Sequence, residues 1–335
     1  MGVGDLGTDM HWRIKGLVQK LLGLHPAGAG VHYRLQRRFG GLTDFSRELA
    51  TKVEDWTIMA GHLRSAGIAI EGARMVEIGT GWYPTFPLAC YLAGAARVTT
   101  FDLTCHLQRE LLHRCVSELA GFTETIAETS GSDIAMVRDR YARLRESLDA
   151  GAGLDQATAG VVRYRAPADA TRSGLADGEV DVVFSNSVLE HVPADVIAAM
   201  YRESRRILGA TGLMFHSVNC GDHYAYVDRN VSQLNYLQYS DRAWRFWDNA
   251  FLYQNRMRAH EFVELATQAG FDILLDTSTV WPQRLEELAG IRVHPRFAHL
   301  SPEQLCITSI DFIGRPAAAG AVSATSTDHD TMAFA

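Results

Sequence analysis

The sequence predicts an α/β protein with a doubly wound, mostly parallel sheet and a helical segment ahead of it. Two observations carry this expectation. From residue 74 onward, short apolar or alternating runs at residues 75–78, 97–101, 180–184 and 213–218 are interleaved with helical stretches at residues 86–92, 107–119 and 194–207. The chain is also long enough, at 335 residues with 47% hydrophobic and 21% charged, to bury a sizeable core, which excludes disordered and collagen-like chains.

In chain order, residues 1–66 read as a helical preface. Ile14, Leu17, Val18, Leu21 and Leu22 recur at helical spacing, as do Leu49, Val53, Trp56, Met59 and Leu63. Residues 67–315 form the main domain. It carries an insertion at residues 106–160, too long for a plain crossover and patterned for one or two rim helices through Met136, Val137, Tyr141, Leu144 and Leu148. A second segment, residues 221–258, is rich in Tyr, Trp and Asn. The preface and this segment are expected to close over the carboxyl ends of the strands as a lid. Residues 316–335 are small and polar and are expected to be disordered.

Chemistry enters at residues 75–84, MVEIGTGWYP, where a strand carrying Glu77 runs into Gly79-Thr80-Gly81. Two glycines allow a tight turn against a ligand. A dinucleotide fingerprint would place a third glycine where Pro84 stands, and Glu77 would repel a pyrophosphate but attract an ammonium or sulfonium. Asp102 follows Gly81 by 21 residues at the end of the next strand, where an acid takes the hydroxyls of a ribose. Asp169, ahead of the strand at residues 180–184, is placed to accept from an adenine amino group. Cation, ribose and adenine together describe S-adenosylmethionine.

These motifs, and above all PADATRSGLADGEVDVVFSNSVLEHVP, resemble the class I S-adenosylmethionine-dependent methyltransferases, in particular their type-11 branch. The likeness spans residues 74–218. It implies that Glu77, Gly79, Thr80, Gly81 and Trp82 surround the methionine part of the cofactor. It further implies that Asp102 meets the ribose, Ala168, Asp169 and Ala170 the adenine, and Ser185, Asn186, Ser187 and Val188 the far side of the sulfonium, with Leu103 a further cofactor contact. Trp82-Tyr83-Pro84 departs from the small residue that many relatives carry there.

Methyl transfer to a hydroxyl needs alignment, exclusion of water and removal of a proton. His191 and His223 both follow sheet strands at their carboxyl ends and are candidate bases, with Asp222 a candidate partner of His223. Tyr224, Arg256 and, from the preface, Tyr33 are candidate acceptor contacts; His32 and Arg37 are expected near the cofactor with Tyr33. No metal site is expected, because Asp222 and His223 lack partners at ligand spacing. The expected activity is O-methylation of a small molecule in secondary or saccharide metabolism. An N- or S-methyltransferase, or a non-catalytic cofactor-binding protein, is the alternative.

A net charge of −7, from 32 basic and 39 acidic residues, supplies no basic field for nucleic acid or an anionic membrane. The five cysteines show no CxxC pair and no apolar run reaches a membrane span, so a reducing, cytoplasmic setting is expected, with a homodimer left open.

Overall fold

The computed structural model describes residues 11–24, 31, 44–249 and 251–318. His32, Tyr33, Arg37 and the tail from residue 319 lie outside the described residues.

Among the described residues seven strands form one sheet: β1 (Arg74–Ile78), β2 (Arg97–Phe101), β3 (Val162–Arg165), β4 (Val180–Asn186), β5 (Leu208–Asn219), β6 (Phe271–Asp276) and β7 (Ser309–Pro316), in the order β3-β2-β1-β4-β5-β7-β6. The first five run parallel, and β7 is antiparallel to both β5 and β6. The chain steps outward from β1 through β2 to β3 and then returns to β4 beside β1. That reversal opens a crevice at the carboxyl ends of β1 and β4, where sheets of this kind bind ligands.

Alternation along the strands feeds two cores. Met75, Val98, Val182, Phe184 and Phe215 face one side and Val76, Ile78, Val183, Met214 and Phe312 the other. The first side is covered by the helix Phe45–Ser65 and by the inserted helices. Here α1 is Trp12–Gly23, α2 Phe45–Ser65, α3 Thr85–Leu92, α4 Arg109–Leu119, α5 Thr123–Ser130 and α6 Ile134–Asp149. All five apolar positions expected on one face of α2 are buried, and Asp44 caps its start through the Arg47 amide at 3.2 Å. The insertion packs rather than floats: Leu111, Val116, Leu119, Ile126, Val137, Leu144 and Leu148 all join this core. The second side is covered by α7 (Ala194–Ile207) and α8 (Ala259–Gln268) through Ile197, Tyr201 and Phe262.

A third cluster gathers Trp12, Tyr224, Leu234, Tyr236, Leu237, Trp244 and Phe297, joining the preface to the aromatic segment. It orients α1 differently from expectation. The Trp12 amide donates to Asp228 at 3.1 Å, the Trp12 ring lies 4.9 Å from Tyr224, and Gly16 sits against the Tyr224 hydroxyl, so Ile14, Leu17, Val18 and Leu21 point outward. The cysteines are free, and no helix among the described residues is long and apolar enough to cross a membrane.

Candidate active site

The turn after β1 is built by Gly79 at φ +80° and Gly81 at φ +68°, a conformation that a side chain disfavours. The two glycines serve different ends. A Cβ at Gly79 would lie 2.5 Å from Val188 Cγ2, so the loop after β4 packs directly on this turn; a Cβ at Gly81 would meet nothing within 4 Å.

Glu77, near the end of β1, is buried, and its Oε2 accepts from the hydroxyls of Thr80 at 2.6 Å and Thr100 at 2.7 Å. Burial raises its carboxyl to about 7, against the pull of those two hydroxyls. Asp102, just past β2, accepts from the Gly81 amide at 3.1 Å and the Tyr164 hydroxyl at 3.0 Å, both on Oδ2. Burial brings it to about 6. Beside it Leu103 is 71% exposed, an apolar side chain left uncovered at the crevice. The Ala168 amide donates to the Asp102 carbonyl at 2.8 Å, which draws Ala168, Asp169 and Ala170 to the same edge. The Asp169 carboxylate is exposed and turned onto its own loop, accepting from the Thr171 amide at 2.8 Å and hydroxyl at 2.7 Å, which hold its pKa low. Trp82 lies over this end with its ring 4.7 Å from His106.

Past β4, Ser185 is fully buried and its hydroxyl is engaged with His216 Nδ1 at 2.7 Å, so its side chain is committed to the interior. Asn186 Oδ1 accepts from Lys52 Nζ of α2 at 2.6 Å. Ser187 is held at φ +53° with its amide on the Ser217 carbonyl at 2.9 Å, marking a strained bend where the chain leaves the sheet. Four residues later the chain reaches His191, whose ring centroid is 4.8 Å from that of His223, beyond β5. The two candidate bases thus meet at one place, delivered by the loops after the neighbouring strands β4 and β5.

Their partner is not the expected one. The Asp222 carboxylate is buried and accepts from Asn235 Nδ2 at 2.7 Å and the Tyr224 amide at 2.9 Å, which closes its own turn, so the Asp222–His223 pairing is not formed. Instead His223 Nε2 faces Glu190 Oε1 at 4.0 Å. Burial lowers His223 to about 3, with His191 and Lys15 adding to the effect, and raises Glu190 to about 8.

Two expected acceptor contacts are structural. Tyr224 is buried in the aromatic cluster with its hydroxyl on the Trp247 carbonyl at 3.0 Å. Arg256, also buried, donates to the carbonyls of Tyr236 at 3.1 Å and Tyr239 at 2.7 Å and to Asp241 at 2.6 Å. Sequence reasoning missed Tyr164, Lys52 and Glu190. Tyr164 and Lys52 carry no motif; Glu190 stood inside the LEHV run and was legible only as part of it.

The family model described as a methyltransferase domain matches residues 49–275. Among solved structures, the chain is similar to an S-adenosylmethionine-dependent methyltransferase from Mesorhizobium loti, at 15% identity and a TM-score of 0.42, covering 76% of this chain and 95% of that one. It is also similar to geranyl diphosphate C-methyltransferase from Streptomyces coelicolor A3(2), solved with Mg2+, geranyl diphosphate and S-adenosyl-L-homocysteine, at 13% identity and a TM-score of 0.44, covering 81% and 84%. No curated protein matches the sequence. The matched span runs from α2 into β6, more than half of the chain, and takes in the glycine turn and both edge carboxylates, so the chain belongs to the methyltransferase-domain family and is a class I S-adenosylmethionine-dependent methyltransferase.

Proposed function

We propose that this enzyme methylates a hydroxyl oxygen of a small-molecule acceptor, of the kind met in secondary or saccharide metabolism, bound beside His191 and His223. The observation that carries the reading is the junction of two loops. Val188 packs on Gly79 of the cofactor turn, and the same loop delivers His191 to His223. Acceptor-facing imidazoles and the cofactor turn are therefore parts of one continuous edge.

The residues present fit S-adenosylmethionine. When bound, it supplies a methyl group on a sulfonium with a thioether leaving group. Glu77 offers a buried carboxylate to the positive end of the ligand, and open space at Gly81 admits the chain that follows. Asp102 Oδ1 makes a long 3.4 Å contact to the Gly81 amide and can accept from ribose hydroxyls. Uncovered Leu103 provides an apolar face for the adenine, with Ala168 and Ala170 alongside. Asp169 accepts from the adenine amino group only if it leaves Thr171.

At the acceptor, a neutral imidazole accepts a hydrogen bond from a hydroxyl and orients it. The preface and the aromatic segment, locked together by Trp12 and Tyr224, act as the cover that keeps water out. As the hydroxyl oxygen took the methyl group that the cofactor would supply, His191 or His223 would accept the hydroxyl proton on its unprotonated ring nitrogen.

The test is kinetic. His191→Ala and His223→Ala should each lower turnover by about 10² to 10⁴ with affinity for S-adenosylhomocysteine retained. Turnover within about threefold of the native enzyme would remove hydroxyl methylation at this edge.

A further inference from the structure

The geometry points to a divalent transition-metal site formed by Glu190, His191 and His223, at the edge where the acceptor binds. One ligand atom from each of the three lies within 4.8 Å of the others. Two features separate this from a chance meeting of polar groups. Glu190 is 2% exposed and its Oε2 has no hydrogen-bond partner, and His223 Nε2 is likewise buried without one. Two buried polar groups without partners would satisfy each other by closing to hydrogen-bond distance, yet Glu190 Oε1 and His223 Nε2 stand 4.0 Å apart. The gap suits a shared third body. Two ligand bonds of about 2.1 Å span about 3 Å at right angles and about 4.2 Å when opposed, so an ion closes this triad with side-chain shifts of about an ångström.

The outer contacts agree. His191 Nδ1 lies 2.7 Å from the Tyr253 carbonyl, which fixes the N–H on Nδ1 and leaves Nε2 as the lone-pair nitrogen. Lys52, the nearby cation whose charge reaches Glu190, is drawn to Asn186 at 2.6 Å instead. Two imidazoles and one carboxylate favour zinc, iron(II), cobalt or manganese over magnesium or calcium, which prefer all-oxygen sets. Three protein ligands on one side leave positions open for an acceptor that offers one or two oxygens, and a coordinated hydroxyl loses its proton more readily than a free one. The inference rests on the reading of this edge as the acceptor site, and the metal is resident rather than consumed.

The test uses the full chain without an affinity tag, stripped with a chelator and desalted, and titrated with Co2+ by calorimetry and visible absorption. One Co2+ per chain should bind with the ligand-field bands of imidazole ligation. Glu190→Gln, His223→Asn and His191→Ala should each weaken it by at least about 100-fold while S-adenosylhomocysteine affinity is kept. His191 is exposed, so its variant carries the test even where changes at the buried positions disturb folding. No saturable Co2+ binding by the native chain, or native-like binding by His191→Ala, overturns the site. S-adenosylhomocysteine is titrated into the metal-free protein as a separate arm: its failure to bind would sink the cofactor reading whatever cobalt does.

Discussion

Lowering the pH should weaken cofactor binding through Glu77, by an amount that follows from its burial. In the free enzyme this carboxyl sits near 7, so it is about nine-tenths protonated one unit below that value and about nine-tenths ionised one unit above. A ligand that sets a positive group beside it binds the ionised form and pulls the pKa down. Binding therefore releases a proton, and affinity is lost as pH falls through the free-enzyme pKa. The dissociation constant scales as one plus ten raised to (pKa minus pH), which gives about a tenfold rise from about pH 8 to about pH 6. Asp102, near 6 in the free enzyme, adds about a factor of two over the same range, for about twentyfold in all. Calorimetry with S-adenosylhomocysteine in buffers of different ionisation enthalpy measures both the affinity and the protons released. Glu77→Gln should leave only the twofold part. A native affinity constant to within about threefold across that range would refute the reasoning.

Other substitutions separate the roles of neighbouring residues. Asp102→Ala should weaken S-adenosylhomocysteine at least about tenfold in calorimetry, because charged hydrogen bonds to two hydroxyls are lost, whereas Tyr164→Phe removes one supporting hydrogen bond and should cost only a few-fold. Gly79→Ala should destabilise the protein by about 1–3 kcal/mol in chemical denaturation, from the positive φ and the clash with Val188, and Val188→Ala should restore part of that loss; no restoration would mean the two loops are not in contact. Trp12→Ala should cost about 3–5 kcal/mol by removing the side chain that joins α1 to the aromatic cluster, with turnover falling as the cover loosens; an unchanged melting temperature would detach α1 from the fold.

The central sheet was legible where strands are buried on both faces. β1, β2 and β4 read as short apolar or alternating runs and lie within a residue or two of where their patterns place them, whereas the run at residues 213–218 marks only the carboxyl half of β5, which starts at Leu208. β3, β6 and β7 were not read. Val162–Arg165 is four residues of alternating exposure, and Phe271–Asp276 exposes every second residue at the sheet edge, so neither stands out from loop sequence. α2 was legible for the same reason as β1, a wholly buried stripe, whereas α1 misled because one tryptophan and one glycine outweigh four aliphatic residues in setting its orientation. At the site, Glu77, Asp102 and the histidines announce themselves by their place at strand ends. Asp222 was placed toward a ligand by its adjacency to His223, Tyr224 as part of an aromatic pocket wall and Arg256 as a grip on an acceptor anion; here backbone carbonyls, an amide and Asn235 satisfy them inside the fold, and nothing in linear sequence records such partners.

The most direct test of the account is a crystal structure of the protein with S-adenosylhomocysteine. Its ribose hydroxyls should lie within hydrogen-bond distance of Asp102, its amino-acid end on the Glu77 side of the glycine turn, and its sulfur facing the loop that carries Val188 and His191. A ligand bound elsewhere, or lying in the crevice with its sulfur turned away from His191 and His223, would contradict it.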